Sequence, residues 1–431
     1  MDTTSLYHIF LQYPKIYTDT RQAVPDSIFF ALKGPSFDGN QYAQEALEKG
    51  AAYAVVDDAT IASKNPEKLL LVDDVLTSLQ ALAKHHREQF NIPFVAITGS
   101  NGKTTTKELV AAVLASHFRT STTVGNLNNH IGIPLTLLRI PKDTEIAVIE
   151  MGANHQKEIE SYCTYVQPTH GIITNCGKAH LEGFGGIEGV RKGKGELYDF
   201  LRKNKGTIFM YNDYDYLHSM SSGVHEIVGY GTKEGAIIGQ SITSNPFLTV
   251  GISKGIQFNK IHTHLVGDYN LPNVLCAVAI GKYFNVPDEK ILSAIESYNP
   301  TNNRSQWMEL GGHKIILDAY NANPTSMQAA ISNFAALPEE NKIVCLGGMM
   351  EMGDASLEEH EFLIKNLEQH KWSEVILVGG DFNKVPHNYH FFETAEQAVA
   401  WMKQQQFKKS TILIKGSRTM RMETILDTWK D

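Results

Sequence analysis

Short apolar runs alternate with segments of helical periodicity through the middle of the chain. Phe94–Thr98, Ile146–Glu150 and Gly171–Thr174 have the length and apolar content of buried strands, and Thr104–Phe118 places its apolar residues on one helical face. Strands that are separated by helices pair in parallel, because each helix returns the chain to the same end of the sheet. The pattern therefore predicts an α/β segment with a mostly parallel sheet.

The same alternation occurs towards the amino terminus. Ile28–Leu32 and Ala52–Val56 are predicted strands, and Tyr42–Lys49 is a predicted helix that ends at Gly50. Lys33–Gly39 is predicted to be a turn-rich loop. These elements predict one small α/β unit, which continues into a further strand and helix at Leu69–Val72 and Val75–His85.

The last third of the chain repeats the alternation most regularly. A helix is predicted over Ser326–Ala336, with Ser326 as its N-cap. The predicted strands are Ile315–Ala319, Ile343–Gly347, Val375–Val378 and Thr411–Ile414. This regularity predicts a doubly wound, Rossmann-like α/β domain. We therefore predict three domains, over residues 1–88, 89–300 and 301–431.

The composition is that of an ordinary globular protein of 431 residues, with 42% hydrophobic and 20% charged residues. Its formal net charge of −8 argues against a nucleic-acid binder, which needs clustered Lys and Arg. No apolar stretch approaches the roughly 20 residues of a membrane span, and the first residues lack the pattern of a signal peptide. The four cysteines form no C-x-x-C pair. We therefore expect a cytoplasmic protein with no membrane insertion.

The strongest chemical signal is Thr98–Thr106, T-G-S-N-G-K-T-T-T, between a predicted strand and a predicted helix. Backbone N–H groups in such a loop can surround phosphates, and the helix N-terminus adds positive potential. Lys103 can reach the β- and γ-phosphates, and the Thr104 hydroxyl can bind Mg²⁺. Ile97 stands where the full P-loop pattern has Gly, so this is the shortened G-x-x-G-K-T form. The alternative is a glycine-rich turn that only begins a helix.

Polar residues also follow other predicted strands. Glu150 ends one strand, where a carboxylate suits Mg²⁺, although it could equally be a solvated charge. Asn175 ends the next, and His180 follows it either as a ligand or as an ordinary histidine. Asp318 ends a strand in the third domain, before a turn whose asparagines also have a purely structural explanation.

Two basic segments have both a functional and a structural interpretation. Arg191–Glu196 is either a binding segment or a solvated charge run. Lys415 and Arg418 follow the last strand before a predicted helix start, where two cations would form an anion site, unless they are solvated. His262 and His264 fit an exposed strand face better than a metal pair.

Together these segments resemble the Mur ligase family over nearly the whole chain. Gly125–Thr136, G-N-L-N-N-H-I-G-I-P-L-T, is specific to one branch of that family, and Gly99–Thr105 resembles its ATP loop. The other matching segments are Asp19–Arg21, Phe37–Gly39, Met151–Asn154, Ala179–Glu182, Tyr320–Pro324 and Lys415–Arg418.

The resemblance implies an activity and a domain organisation. It implies an ATP-dependent ligase that adds D-alanyl-D-alanine to a UDP-N-acetylmuramoyl-tripeptide in peptidoglycan precursor synthesis, acting as a monomer. ATP would phosphorylate a substrate carboxylate, and the amine would attack the resulting acyl phosphate. The three domains would bind the UDP-linked substrate, bind ATP and complete the ligase site, in that order along the chain.

The resemblance also implies roles for single residues. Lys103, Lys194 and His180 would be catalytic, with Lys194 carbamylated to offer oxygen to a metal. One Mg²⁺ would bind Thr104 and Glu150, and another would bind His180 and Lys194. ATP would contact Gly99, Ser100, Asn101, Gly102, Lys103, Thr104, Thr105, Asn270, Asn273, Arg304 and Asp318. The substrates would contact Thr20, Arg21, Phe37, Asp38, Asn126, Asn128, Asn129, Asn321, Asn323, Ser326, Lys415 and Arg418.

Two departures from the family pattern and two alternatives stay open. Ala319 stands where the family often has a second aspartate, and Gly193 precedes Lys194 in place of alanine. A sibling ligase that adds a diamino acid, or one similar to folylpolyglutamate synthetase, is the nearer alternative, against which Gly125–Thr136 argues. A P-loop switch or phosphotransferase is the more distant one, and it would need neither a UDP-binding domain nor a metal-site lysine.

Overall fold

The computed structural model describes every residue except 23, 302 and 431, and its chain divides into two compact units. The first unit comprises Met1–Ala96, Phe118–Gly152 and Glu158–His170. The second comprises Ile97–His117, Ala153–Lys157 and Gly171–Asp431. The units consist of segments that are discontinuous in sequence, and the three domain ranges stay a prediction.

Some of the helices begin at a short polar side chain that caps them. The carboxylates of Asp2, Asp58 and Asp74 each accept a hydrogen bond from a backbone N–H at a helix start. No helix in the described part of the chain is long and apolar enough to cross a bilayer. In chain order the helices are α1 (Thr3–Gln12), α2 (Ala43–Glu48), α3 (Ala59–Ala62), α4 (Val75–Arg87), α5 (Lys103–Ala115), α6 (Gly132–Leu138), α7 (Glu158–Val166), α8 (Leu181–Phe184), α9 (Ile187–Lys203), α10 (Asp215–Met220), α11 (Leu271–Tyr283), α12 (Asp288–Ser297), α13 (Pro324–Ala336), α14 (Ser356–Glu368) and α15 (Ala395–Met402).

The strands are short, and many are buried along their whole length, as parallel strands covered on both faces must be. In chain order they are β1 (Lys15–Tyr17), β2 (Ser27–Phe30), β3 (Lys33–Gly34), β4 (Phe37–Asp38), β5 (Tyr53–Val56), β6 (Leu69–Leu71), β7 (Phe94–Thr98), β8 (Thr120–Thr122), β9 (Ile146–Glu150), β10 (His170–Ile173), β11 (Thr207–Tyr211), β12 (Glu226–Gly231), β13 (Ile237–Ser244), β14 (Phe247–Lys254), β15 (Lys260–Val266), β16 (Gln306–Leu310), β17 (His313–Asp318), β18 (Lys342–Gly347), β19 (Glu374–Val378), β20 (His390–Phe392) and β21 (Thr411–Lys415).

The first unit contains the small α/β sheet that the sequence predicts. Its order is β1-β2-β5-β6, every neighbouring pair is parallel, and Phe29 and Ala54 lie in the core on one of its faces. The predicted loop Lys33–Gly39 is instead a small hairpin, because β3 pairs antiparallel with β4 around a two-residue turn. Strands β8 and β9 of the same unit pair in parallel.

The second unit contains three antiparallel strands that the search for short apolar runs did not predict. Its strands run in the order β15-β14-β13-β12-β11-β10, and β13, β14 and β15 pair antiparallel. Burial alternates along β15, where Ile261 and Thr263 are buried but His262 and His264 are exposed. The exposed-face interpretation of the two histidines is therefore confirmed. No cluster of three His, Cys, Asp or Glu side chains in the described residues is placed to hold a metal.

The carboxyl-terminal part of the second unit is the predicted doubly wound sheet. Its order is β16-β17-β21-β18-β19-β20, and only the edge pair β16–β17 is antiparallel. Alternate residues of one strand enter opposite cores, since Leu413 packs in the core of Phe334 and Ile412 packs in the core of Ile315. Helices on both faces therefore cover this sheet.

The predicted N-cap of α13 is wrong by three residues. Asn323 is the N-cap, and its side chain accepts a hydrogen bond of 3.0 Å from the Ser326 N–H. The Ser326 hydroxyl oxygen in turn accepts the Asn323 N–H at 3.1 Å, which completes a capping box. Pro324 fits the first helical position, because its missing N–H has no helical partner there.

His360 in α14 makes stability depend on pH. It is fully buried against the Phe382 ring; its Nδ1 donates to the Ser356 carbonyl at 2.7 Å, and its Nε2 accepts the Met349 N–H at 3.1 Å. Burial lowers the pKa of His360 from its ordinary 6.5, so only the unfolded chain takes up this proton as the pH falls through 6.5. Stability is therefore lost on the acid side.

We expect the free energy of unfolding to fall between pH 7 and pH 5.5 more steeply for the wild type than for His360→Gln. One proton taken up only on unfolding contributes a slope of up to about 1.4 kcal/mol per pH unit. Urea unfolding at a series of pH values measures both curves, and the other histidines cancel in the comparison. Parallel curves would contradict this role of His360.

Candidate functional site

The loop between β7 and α5 holds its backbone in a shape that requires glycine. Gly99 has a φ of +142°, and a Cβ there would lie 2.0 Å from the Thr174 Oγ1. Gly102 has a φ of +77° and caps the start of α5. Both positions favour glycine over any L side chain. We call Gly99–Lys103 the phosphate loop, since the strand–loop–helix order predicted for it is confirmed.

The segment after β10 fixes this loop. The Ser100 N–H donates to the Asn175 carbonyl at 2.9 Å, and the Asn101 N–H donates to the Asn175 Oδ1 at 3.0 Å. The Thr174 hydroxyl donates to the Asn101 carbonyl at 2.6 Å. These bonds use side chains at a strand end to set the loop backbone before any ligand arrives, which is the preorganisation that electrostatic catalysis needs.

Lys103 folds back over the loop. Its Nζ donates to the carbonyls of Gly99 at 2.7 Å and Ser100 at 3.1 Å, so the ammonium lies at the loop and at the N-terminus of α5. Thr104 follows in the first turn and is buried. A cation and a helix N-terminus together favour a bound anion.

Two asparagines of the predicted ATP site connect α5 with the start of α11. The Thr106 hydroxyl donates to the Asn273 Oδ1 at 3.0 Å, and the Asn273 Nδ2 donates to the Asn270 Oδ1 at 2.8 Å. The Asn270 Nδ2 donates to the Val266 carbonyl at 2.9 Å. The structure thus brings both residues to the helix that follows the phosphate loop, and their contact with ATP stays a prediction.

The turn before α13 contacts the phosphate loop directly. The Asn323 Nδ2 donates to the Asn101 Oδ1 at 2.7 Å. Close by, the Lys178 N–H donates to the Thr325 Oγ1 at 3.1 Å. Thr325 was not among the predicted site residues, because a threonine in a helix start has no distinguishing sequence signal. The carboxyl-terminal sheet and the phosphate loop therefore share one polar surface within the second unit.

The structure gives the two predicted cations at the end of β21 different surroundings. Lys415 is the last residue of the strand and is buried, and its Nζ binds the Asp318 carboxylate at 2.5 Å. Asp318 also accepts the Ser305 N–H at 3.2 Å. A short 3₁₀ turn rather than an α-helix follows at Arg418–Met420. The alternative of a solvated cation is wrong for Lys415, because the side chain is buried and a carboxylate on the neighbouring strand compensates its charge; its part in an anion site stays a prediction.

Arg304 and Arg418 lie near the same aromatic ring. The Arg304 guanidinium is 3.6 Å from the centre of the Tyr320 ring, and that of Arg418 is 5.5 Å from it. The neighbouring Asn321 accepts a long contact of 3.4 Å from the Lys415 Nζ on its carbonyl. Two arginines and Asp318 therefore meet at one end of the carboxyl-terminal sheet.

His180 is bound by a carboxylate that the sequence did not identify. Its Nδ1 bonds the Glu351 carboxylate, and both residues have a left-handed backbone, with φ of +52° and +61°. The hydrogen bond from His180 lowers the pKa of Glu351 below its usual range. A signal existed, because Glu351 follows the end of β18 just as Glu150 ends β9, but the residue had no match in the quoted motifs.

Lys194 is buried inside α9, so the interpretation of its segment as a solvated run is wrong. Its side chain is 1% exposed, its Nζ donates to the Ala153 carbonyl at 2.9 Å, and it lies 4.8 Å from the centre of the Phe184 ring. A Cβ on Gly193 would lie 2.5 Å from the Phe184 ring, so this ring explains glycine at that departure from the family pattern.

Glu150 in the first unit is buried, and it is not a solvated strand-end charge. Its Oε1 accepts the Asn128 Nδ2 at 2.8 Å, and its N–H donates to the Thr123 hydroxyl. Asn129 accepts the N–H groups of two residues at the start of α6 on its Oδ1, and the Asn126 carbonyl accepts the Asn128 N–H at 2.8 Å. The asparagine-rich segment thus positions Glu150.

Of the predicted substrate contacts in the first unit, Thr20 and Arg21 follow β1, whereas Phe37 and Asp38 form β4. The Thr20 hydroxyl donates to Glu45 at 3.1 Å, and the largely exposed Arg21 pairs with Asp19 at 2.6 Å. Asp38 accepts the Asn40 N–H at 3.0 Å, and the neighbouring Phe37 side chain is about half exposed. Their contacts with the substrate stay predictions.

Three family models match this chain in order. The Mur ligase family catalytic domain matches residues 13–87, the Mur ligase middle domain matches 97–281 and the Mur ligase glutamate ligase domain matches 303–418. The UDP-N-acetylmuramoyl-tripeptide–D-alanyl-D-alanine ligase of Haemophilus influenzae is 34% identical over 98% of this chain and 94% of its own. The enzyme of that name from Bacillus subtilis is 33% identical over 95% of this chain and 92% of its own.

Solved structures agree with the architecture. A crystal structure of MurF from Acinetobacter baumannii aligns with a TM-score of 0.86 at 30% identity, covering 96% of this chain and 92% of that one. The MurF ligase of Thermotoga maritima, solved in complex with ADP, aligns with a TM-score of 0.87 over 97% of each chain. At 24% identity the second similarity concerns the fold alone.

Proposed function

Because this chain belongs to the Mur ligase family, we propose that it is the ATP-dependent ligase that adds D-alanyl-D-alanine to UDP-N-acetylmuramoyl-tripeptide in peptidoglycan precursor synthesis. The observation that carries the proposal is the phosphate loop bound on one side by Asn175 and on the other by Asn323. The second contact brings the carboxyl-terminal sheet to the loop, which supports a ligase, because in the proposed reaction this sheet brings the amine to the phosphorylated carboxylate.

The residues of the loop supply charge and position. In the proposed reaction a substrate carboxylate oxygen attacks the γ-phosphorus of ATP, ADP leaves, and the amine then displaces phosphate from the acyl phosphate to form the amide. Lys103 exchanges its carbonyl contacts for phosphate oxygens, and the N–H groups at the start of α5 face the same charge. The backbone stays in place because Thr174 and Asn175 hold it.

Each residue that the family resemblance assigns to Mg²⁺ carries, within its own unit, a donor group that a metal ion could use. The Nδ1 of His180 is occupied by a carboxylate, which leaves the Nε2 for a metal, the usual arrangement of a metal-bound histidine. Thr104 offers a hydroxyl, Glu150 offers a buried carboxylate, and a carbamate on Lys194 would offer oxygens. When bound, Mg²⁺ supplies charge neutralisation for the transferring phosphoryl group.

The carboxyl-terminal sheet offers a cation for the acceptor's carboxylate. Among the described residues Arg418 has no carboxylate within 4.0 Å and is exposed, whereas the charge of Lys415 is compensated by Asp318. We therefore assign the acceptor carboxylate to Arg418, with Asn321 and Asn323 near the amine. We further propose that the enzyme acts as a monomer in the cytoplasm, which sedimentation of the purified protein and cell fractionation would test.

Acceptor choice tests this proposal. We expect the enzyme to use D-alanyl-D-alanine and to reject D-alanine and diaminopimelate, because a dipeptide places its carboxylate far enough from its amine to be anchored while the amine attacks. Each buried polar group that loses its partner costs about 1–3 kcal/mol, so kcat/KM should fall by about tenfold or more for a single amino acid.

The measurement is ligated product and released phosphate with UDP-N-acetylmuramoyl-tripeptide, ATP and each amine in turn. A parallel series replaces the tripeptide by the UDP-N-acetylmuramoyl-dipeptide. Better turnover of the dipeptide with diaminopimelate would assign the protein to the sibling ligase. Phosphate release that needs neither acyl acceptor nor amine would assign it to the phosphotransferases.

A further inference from the structure

The elements of the carboxyl-terminal sheet contact the loop after β10 through an ion pair and a histidine–carboxylate hydrogen bond, both within the second unit. Lys178 binds Glu359 of α14 at 2.5 Å, and His180 binds Glu351, which follows β18. Of these two contacts only the second reaches a residue of the proposed metal site. Variants of the two contacts can therefore distinguish packing from metal positioning. The Lys178 contact only holds the segments together, whereas the His180 contact also involves a proposed metal ligand.

The backbone around both residues of the second pair is tightly constrained. His180 lies in the left-handed region immediately before α8, and Glu351 lies in the same region two residues before Gly353, whose φ is +53°. A Cβ on Gly353 would lie 3.2 Å from the Glu182 Cβ, so the turn after β18 packs closely on the start of α8. Non-glycine residues in this region are uncommon, and two of them facing each other fix the direction of both side chains.

We propose that Glu351 is a positioning residue for the metal site, a role that rests on the proposed function. A carboxylate only accepts hydrogen bonds, so the Nδ1 of His180 donates in this contact, and in the neutral ring the Nε2 then keeps its lone pair. The contact thereby sets both the tautomer and the ring orientation of the histidine. Partners of this kind typically change metal affinity by about 10–100-fold.

Glu351 and His180 come from different parts of the second unit. His180 follows β10 beside the phosphate loop, whereas Glu351 belongs to the carboxyl-terminal sheet, 171 positions further along the chain. The histidine is therefore fully oriented only when the carboxyl-terminal sheet is in place. Metal affinity is in this way coupled to the arrangement that also brings Asn323 to the phosphate loop.

Metal binding tests this directly. Full-length protein with a non-hydrolysable ATP analogue is titrated with Mn²⁺, and the free ion is followed by electron paramagnetic resonance. We expect Glu351→Ala to weaken the His180-dependent site by about 10–100-fold. Glu351→Gln keeps an oxygen acceptor but loses the charge, so its affinity should lie between those of the wild type and the alanine variant. The KM for Mg²⁺ should rise more than kcat falls.

Two further variants decide between the explanations. Glu359→Gln removes the ion pair with Lys178 without touching His180 and should leave Mn²⁺ affinity unchanged. His180→Ala identifies the site that depends on this histidine. If His180→Ala removes no Mn²⁺, the metal role of His180 in the proposed function fails. If it removes one and Glu351→Ala binds like the wild type, the positioning role is overturned. Equal losses in Glu351→Ala and Glu359→Gln would overturn it too, since packing alone would then explain the effect.

Discussion

Replacing Lys103 by alanine is expected to lower kcat for ligation by about 10²-fold or more while leaving the fold intact. In the proposed reaction the lysine provides a preorganised charge at the transferring phosphate, and one such group typically contributes that much to the rate. The loop should keep its shape in the variant, because Thr174 and Asn175 hold its backbone without help from the lysine.

Steady-state phosphate release with both substrates measures this effect, and a thermal melt of the variant measures its fold. Lys103→Arg is the informative companion, since it keeps the charge but not the shape of the ammonium, and its rate should lie between the two. Wild-type turnover by a well-folded Lys103→Ala protein would refute the assignment of ATP to this loop.

Lys194→Ala is expected to lower kcat for ligation by about as much, because it removes the carbamate that we propose forms on this lysine. The neutral Nζ amine attacks the carbon of CO₂, an N–C bond forms, the electron pair of one C=O bond moves to oxygen, and a proton leaves the nitrogen. The product places oxygens where the chain otherwise has an amine, and hard cations such as Mg²⁺ prefer oxygen. Losing a metal ligand at a phosphoryl-transfer site removes several kcal/mol of charge stabilisation, on the order of 10²-fold or more in rate.

Carbon-13 NMR with labelled CO₂ should show a carbamate signal that is absent in Lys194→Ala. Lys192→Ala is the matched control, because Lys192 lies two positions away on α9 but is exposed, and it should keep both the signal and the activity. Full activity in CO₂-depleted buffer, with no carbamate signal in the wild type, would exclude the modification.

Local patterns were enough to predict much of this protein. The apolar runs predict buried strands, because a strand covered on both faces can expose no polar side. The glycines of the phosphate loop stand at positions with positive φ values or a close approach that only glycine allows. Their spacing in the sequence therefore predicts the backbone shape of the loop. The alternation of strands and helices predicts the doubly wound sheet, and the structure confirms it.

Other features depend on which segments meet. The antiparallel strands β13–β15 were missed, because half-exposed strands carry polar residues at alternate positions and resemble loops to a search for apolar runs. The N-cap of α13 was misplaced, because Asn323 and Ser326 are both good caps in sequence and only their mutual hydrogen bonds distinguish them.

The candidate site likewise has features that follow from the local sequence and features that depend on tertiary contacts. The sequence by itself determined the strand–loop–helix order around Gly99–Lys103 and the family, because both depend on residues that are neighbours in the chain. Only the tertiary structure decided that Lys415 is neutralised by Asp318, that Lys194 is buried and that His180 meets Glu351. Such partners lie about 40 to 170 positions apart, and whether a charge is free or compensated depends on the groups that folding brings within hydrogen-bond distance.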